Sequence, residues 1–193
     1  MKKRIIALAV VAICLSVLAS TTLAYFTDSA VARNVIASGG VSIEVVEQQL
    51  VDGALQPYAP MTVPVMPATT VSKIVSVQSK EQAAWIRVSL DVTIYDAEGN
   101  VMELTDEEIA SVVIIDIDSD AWTLQDGKWY CNASAKAGEL TAPLFEQVAF
   151  SGANMDNRFQ GCTVVIDIAA EAVQTANNGA NVLEAMGWPE VVE

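Results

Sequence analysis

Asp116, Asp118 and Asp120 alternate in the stretch IIDIDSDAW, so three carboxylates lie within five residues. Oxygen donors this close could hold a hard cation, and Ca²⁺ is the ion such a set would take. The pattern departs from an EF-hand loop. Counted from Asp116, the sixth position is Ala121 rather than Gly and the twelfth is Gly127 rather than Glu. A solvated strand end is the plainer reading in a chain with 24 acidic residues. The same abundance means that carboxylate pairs arise by number alone, so none is singled out for acid–base work. The chain has no His, which removes His-based triads, HExxH zinc sites and imidazole proton shuttles. It also lacks a G-x-S-x-G elbow, a P-loop and a C-x-x-C pair. No catalytic residue is assigned, and no cofactor beyond the Ca²⁺ candidate. Trp85, Trp122, Trp129 and Trp188 could line a ligand groove, but core packing is the commoner role of aromatics in strands.

The N-terminus sets the compartment. Met1-Lys2-Lys3-Arg4 is a basic cap, Ile5 to Ala19 is an apolar run broken only by Ser16, and small polar residues follow. This is the layout of a secretory signal peptide. The run falls short of the roughly 20 apolar residues that a membrane-spanning helix needs. Thr22-Leu23-Ala24 has the small-x-small form that signal peptidases accept, which places cleavage between Ala24 and Tyr25. Residues 1–24 are therefore read as leader and 25–193 as a single domain with no stable membrane insertion. Cleavage removes three of the ten basic residues and no acidic one, leaving seven against 24 and a net charge of −17. Such acidity opposes binding to nucleic acid and to anionic membranes. Cys131 and Cys162 remain, and an even count in an oxidising compartment favours a disulfide over two unpaired thiols. A bridge closing about 30 residues would contribute roughly 3–4 kcal/mol in the loop-entropy account.

Mostly period-two patterning must position these residues. Val41 to Val45 alternates, Val71 to Val77 is rich in β-branched residues, and Trp85 to Tyr95 is the strongest strand. In the last, Ile86, Val88, Leu90, Val92 and Ile94 share a wholly apolar face that must meet the core. Leu104 to Ala110 reads as a short helix with a Thr105–Glu108 capping box. Val112 to Ile117 reads as a buried strand. Trp122 to Leu124 and Lys128 to Cys131 flank a Gln125-Asp126-Gly127 turn, a hairpin signal. Leu144 to Phe150 and Thr163 to Ala170 add two strands, and Val182 to Met186 a second short helix. Pro57 to Pro67 is too rich in proline for a central strand. The expected fold is an all-β, jelly-roll-like antiparallel β-sandwich with one or two short helices.

Two groups of residues carry a resemblance. Ala24-Tyr25-Phe26-Thr27-Asp28 leads within about fifteen residues to Ala37-Ser38-Gly39-Gly40-Val41-Ser42-Ile43. Further on, MPATTVSKIVSVQSKEQAAWIRVSL carries Pro67, Lys73, Ala84 and Ile86-Arg87-Val88 in order, with Ala68 and Trp85 where a Gly and a Tyr are usual. In both, and in the later DGKWYC and GELTAPLFEQVAF, the chain resembles the TasA/camelysin family of exported Gram-positive surface and biofilm-matrix proteins. The resemblance implies release by a dedicated signal peptidase, a jelly-roll-like sandwich and assembly into fibres. It also implies that the freed N-terminus acts as a donor strand in the next subunit. Tyr25, Phe26, Val31 and Val35 would then dock, within an apolar, proline-free segment from Tyr25 to Ile36. The plain alternative is that this segment forms the molecule's own first strand. A metallopeptidase label attached to the camelysin branch is not carried over, because a zinc site without His is improbable. The rival function is a monomeric secreted module that binds a ligand or Ca²⁺.

Overall fold

The structure is a computed structural model that describes residues 41–58 and 66–189 and the backbone of Ile36–Ala37. Two five-stranded sheets pack face to face as a β-sandwich. The strands are β1 (Ile36–Ala37), β2 (Ile43–Val51), β3 (Ala54–Pro57), β4 (Thr70–Ser79), β5 (Ala84–Tyr95), β6 (Val113–Ile115), β7 (Trp122–Gln125), β8 (Lys128–Cys131), β9 (Phe145–Phe150) and β10 (Thr163–Gln174), with helix α1 (Asp106–Val112) before β6. One sheet runs β1-β10-β5-β8-β7 and the other β3-β2-β4-β9-β6. All pairings are antiparallel except β1 with β10. The chain passes repeatedly from one sheet to the other, so each apolar strand face finds its partner on the opposite layer.

The alternation of β5 is realised. Ile86, Val88 and Ile94 are buried, and Leu90 and Val92 pack on the core at its margin. β10 supplies the facing row Val164, Ile166, Ile168 and Ala170 along a twelve-residue antiparallel register, from Thr163 opposite Tyr95 to Gln174 opposite Ala84. Val75, Val77, Phe145 and Val148 close the core from the other sheet. Burial of each such side chain is worth about 1.5–3 kcal/mol.

Local chemistry sets the ends of elements. Thr105 Oγ1 accepts from the Glu108 N–H (3.2 Å), and Glu108 Oε2 accepts from the Thr105 N–H (2.9 Å), completing the expected capping box. The helix runs on to Val112, so only Val113–Ile115 of the expected strand is extended. At the β7–β8 turn both Asp126 (φ 51°) and Gly127 (φ 74°) are left-handed, the two-residue hairpin geometry whose twist matches its flanking strands. Asp52 (φ 50°) and Gly53 (φ 79°) make the same turn between β2 and β3. The expected second helix is a single 3-10 turn, Val182–Glu184.

Past β10, residues 175–189 lie as a strap over the outer face of the first sheet. Trp85, Tyr130, Val173, Val182 and Ala185 form a second apolar cluster there, with Trp188 against it. Asn178 pins the strap: its side chain donates to Met186 O (3.0 Å) and accepts from Met186 N (2.8 Å). Its carbonyl accepts from Trp85 Nε1 (2.9 Å). Gly179 (φ +70°) is required here, because a Cβ would sit 2.9 Å from the Glu184 carbonyl carbon.

Candidate strand-docking edge

A sheet edge is a row of unpaired backbone donors and acceptors, and proteins usually keep such rows short or covered. Three of the four edges here obey that rule. β3 and β7 have four residues each and β6 three, with Pro57 ending β3. The fourth edge belongs to β10, twelve residues long. Among the described residues, its outer side is paired only by β1, at Ile36 opposite Glu171 and Ala37 opposite Ala172. Thr163 to Ala170 thus offers an edge of eight residues, with Asp167 its sole charge.

β1 sits where the expected donor segment ends. Ala24, Tyr25, Phe26, Val31 and Val35 lie outside the described residues, as does the whole of the expected leader. The observed stub fixes direction and register at that point: the chain joins β10 in parallel at Glu171, the residue directly after Ala170.

Beside the stub lies a densely bonded polar cluster. Glu171 is buried at 7% exposure and binds two cations. Arg87 Nε donates to its Oε2, and Lys128 Nζ donates to Oε1 (2.9 Å) and Oε2 (3.0 Å). Arg87 also donates to Tyr130 Oη (3.1 Å) and to the Pro189 carbonyl (3.3 Å), and its guanidinium lies 4.6 Å from the Trp188 ring centre. The first described strand and the last strap therefore meet at one ion cluster. The expectations passed over it. A Glu set among apolar residues in IDIAAEAV was its signal.

A second buried charge, Lys73, lies in the β4 bulge between Ser72 and Val75. Its Nζ is 2.9 Å from Glu47 Oε1, near enough for an ion pair but off line for a hydrogen bond. The Tyr58 ring covers it at 4.2 Å. The bulge and this inward lysine are why Val71 to Val77 alternates imperfectly.

The Asp triplet does not converge. Asp116 Oδ1 accepts from the Glu146 and Gln147 N–H groups (3.2 and 2.9 Å). Asp118 Oδ1 accepts from the Asp120 and Ala121 N–H groups (3.1 Å each). The Asp120 backbone carbonyl accepts from Asn132 Nδ2 (3.0 Å). The triplet thus ties a turn to β9 and the hairpin. Among the described residues no three metal-ligating side chains come together.

The expected disulfide is corrected. Cys131 and Cys162 are free, buried thiols. Cys131 follows Tyr130, which pairs with Arg87, while Cys162 precedes Thr163, which pairs with Tyr95. Those β5 positions are eight residues apart, about 26 Å at 3.3 Å per residue. A bridge needs Cα atoms within about 7 Å. Burial raises both thiol pKa values, since the ionised form loses its hydration. An even count carries no information about where a strand register puts the two residues.

The tryptophans pack. Trp122 is buried in the main core with its Nε1 donating to Pro143 O (3.0 Å), and Trp129 lies against that core. Trp85 and Trp188 belong to the cluster under the strap. Comparison with protein-family models, with curated proteins and with solved structures gives no match to this chain.

Proposed function

We propose that this chain is an exported structural subunit of cell-surface or matrix fibres, non-catalytic, which assembles through its N-terminal segment. The observation that carries the reading is the β10 edge: eight consecutive residues open among those described, next to a parallel stub of the very segment that would dock. Extended into Tyr25–Ile36, that segment would add main-chain hydrogen bonds along an edge, and its alternate side chains would set the register. The signal-peptide layout and the resemblance to the TasA/camelysin family support export and matrix localisation. The segment docks either on its own β10 or on that of the next subunit, and only the second builds a fibre. That all four tryptophans pack against apolar clusters supports this reading over a monomeric module that binds through an aromatic groove.

The test compares processed protein beginning at Tyr25, freed from a removable N-terminal fusion, with a version beginning at Gly39. Light scattering after size exclusion and negative-stain microscopy should show regular filaments for the first and monomers for the second. Stable monomers in both would sink the proposal.

A further inference from the structure

The other side of β5 holds a second open slot, separate from β10. β8 covers β5 only at Arg87 and Val88 before the hairpin turns away. The next pairing on that side is Tyr95 with Val101, where the Ile94 carbonyl accepts from Met102 N–H (2.8 Å). The N–H and C=O of one strand residue point the same way, and the direction alternates along the chain. Leu90 and Val92 therefore aim their backbone groups into the same gap as Ile94, and among the described residues nothing pairs with them. β6 forms the opposite wall. Ser151 N–H donates to Val112 O (2.9 Å) and Asp116 N–H to Gln147 O (3.5 Å), so Val113 and Ile115 face away from β9 and toward the gap.

Between these walls lies a groove of about 450 Å³. Leu90, Val92, Ile109 and Ile114 give it apolar walls, and Asp91 and Asp106 contribute carboxylates. Asp91 also stands directly opposite Asp167 across the β5–β10 ladder. Like charges placed so are destabilising. None of the ion pairs among the described residues includes Asp91, Asp106 or Asp167.

We propose that this slot docks an extended, cationic segment of another protein as an added strand beside β5, in line with β8. Its apolar side chains would cover Leu90, Val92 and Ile109. Its Lys or Arg side chains would answer Asp91, Asp167 and Asp106. Charge selects the partner: a chain with 24 acidic and 10 basic residues is a poor donor to an acidic slot.

The test uses the processed protein and a capped octapeptide of alternating Val and Lys. Calorimetry should give binding that the Val–Glu analogue lacks. Of two versions N-methylated at odd or at even positions, one should lose affinity at least tenfold and the other keep it, because one peptide edge pairs. Hydrogen exchange at the Leu90 and Val92 amides should slow at least tenfold on binding. Asp91→Lys should weaken binding tenfold while raising the urea midpoint, since it replaces a repulsion with Asp167 by an attraction. A gain in stability alongside a loss of binding separates the site from the fold. Unchanged exchange at Leu90 and Val92, or equal binding by both N-methylated versions, would overturn the proposal in favour of diffuse charge attraction. Stronger protection by a peptide of residues 25–36 would overturn it in favour of a second copy.

Discussion

Glu171 holds Arg87 and Lys128 at one carboxylate on a nearly closed surface. Removing one partner of a buried ion pair costs more than the pair contributes, because the remaining charge stays desolvated. Glu171→Ala should therefore lower stability by about 3–5 kcal/mol, read from urea denaturation. The thiols make a prediction of the opposite kind. Iodoacetamide should label Cys131 and Cys162 slowly in the native protein and both fully after unfolding without reductant. A mass two hydrogens lighter, resistant to labelling, would show a bridge. The pH dependence has a definite sign. Burial raises the thiol pKa values in the folded state. Above the ordinary thiol range the unfolded chain has released protons that the folded chain retains, so stability falls as pH rises.

Elements governed by neighbouring residues were legible in the sequence; those governed by register were not. The alternation of β5, the Thr105–Glu108 box and the Asp126–Gly127 turn are all chemistry within a few positions. Gly127→Val should cost about 1–2 kcal/mol, because a β-branched residue resists left-handed backbone. Thr105→Ala should cost about 1 kcal/mol through the lost cap. Both are measurable as shifts in thermal midpoint. The Asp52–Gly53 turn carried the same local signal as Asp126–Gly127, but the strand after it, Ala54–Pro57, is exposed throughout and has no apolar alternation to mark it. The strap was hidden for another reason. Asn178 makes sense only once Trp85 and Met186, from distant and near parts of the chain, stand beside it. Trp188→Ala should loosen that strap at a cost of about 2 kcal/mol. It should also make Trp85 fluorescence more accessible to acrylamide.

For the whole molecule, the candidate site was half legible. An apolar, proline-free segment after the expected leader pointed to a strand seeking an edge, but which edge is open among the described residues depends on the pairing of ten strands. Strong net negative charge adds a condition to the proposed assembly. Subunits at −14 or below repel one another, and salt screens that repulsion over about 10 Å at 0.1 M. Filament growth should therefore be faster at 0.3 M NaCl than at 0.03 M, followed by light scattering. Docking of a cationic strand at the β5 slot should weaken over the same range, so the two contacts respond to salt with opposite signs.

The meeting at Glu171 has a further consequence. β1 pairs with Glu171 along the backbone, while Arg87 joins that residue's carboxylate to the Pro189 carbonyl. The first and last described segments thus come to the same corner of one sheet. A short linker would join them, and the exposed Asp52–Gly53 turn between β2 and β3 of the other sheet would make new ends. Such a circularly permuted chain should keep its core and its strap. It would carry any attached cargo on the β3 edge and leave the β10 corner closed.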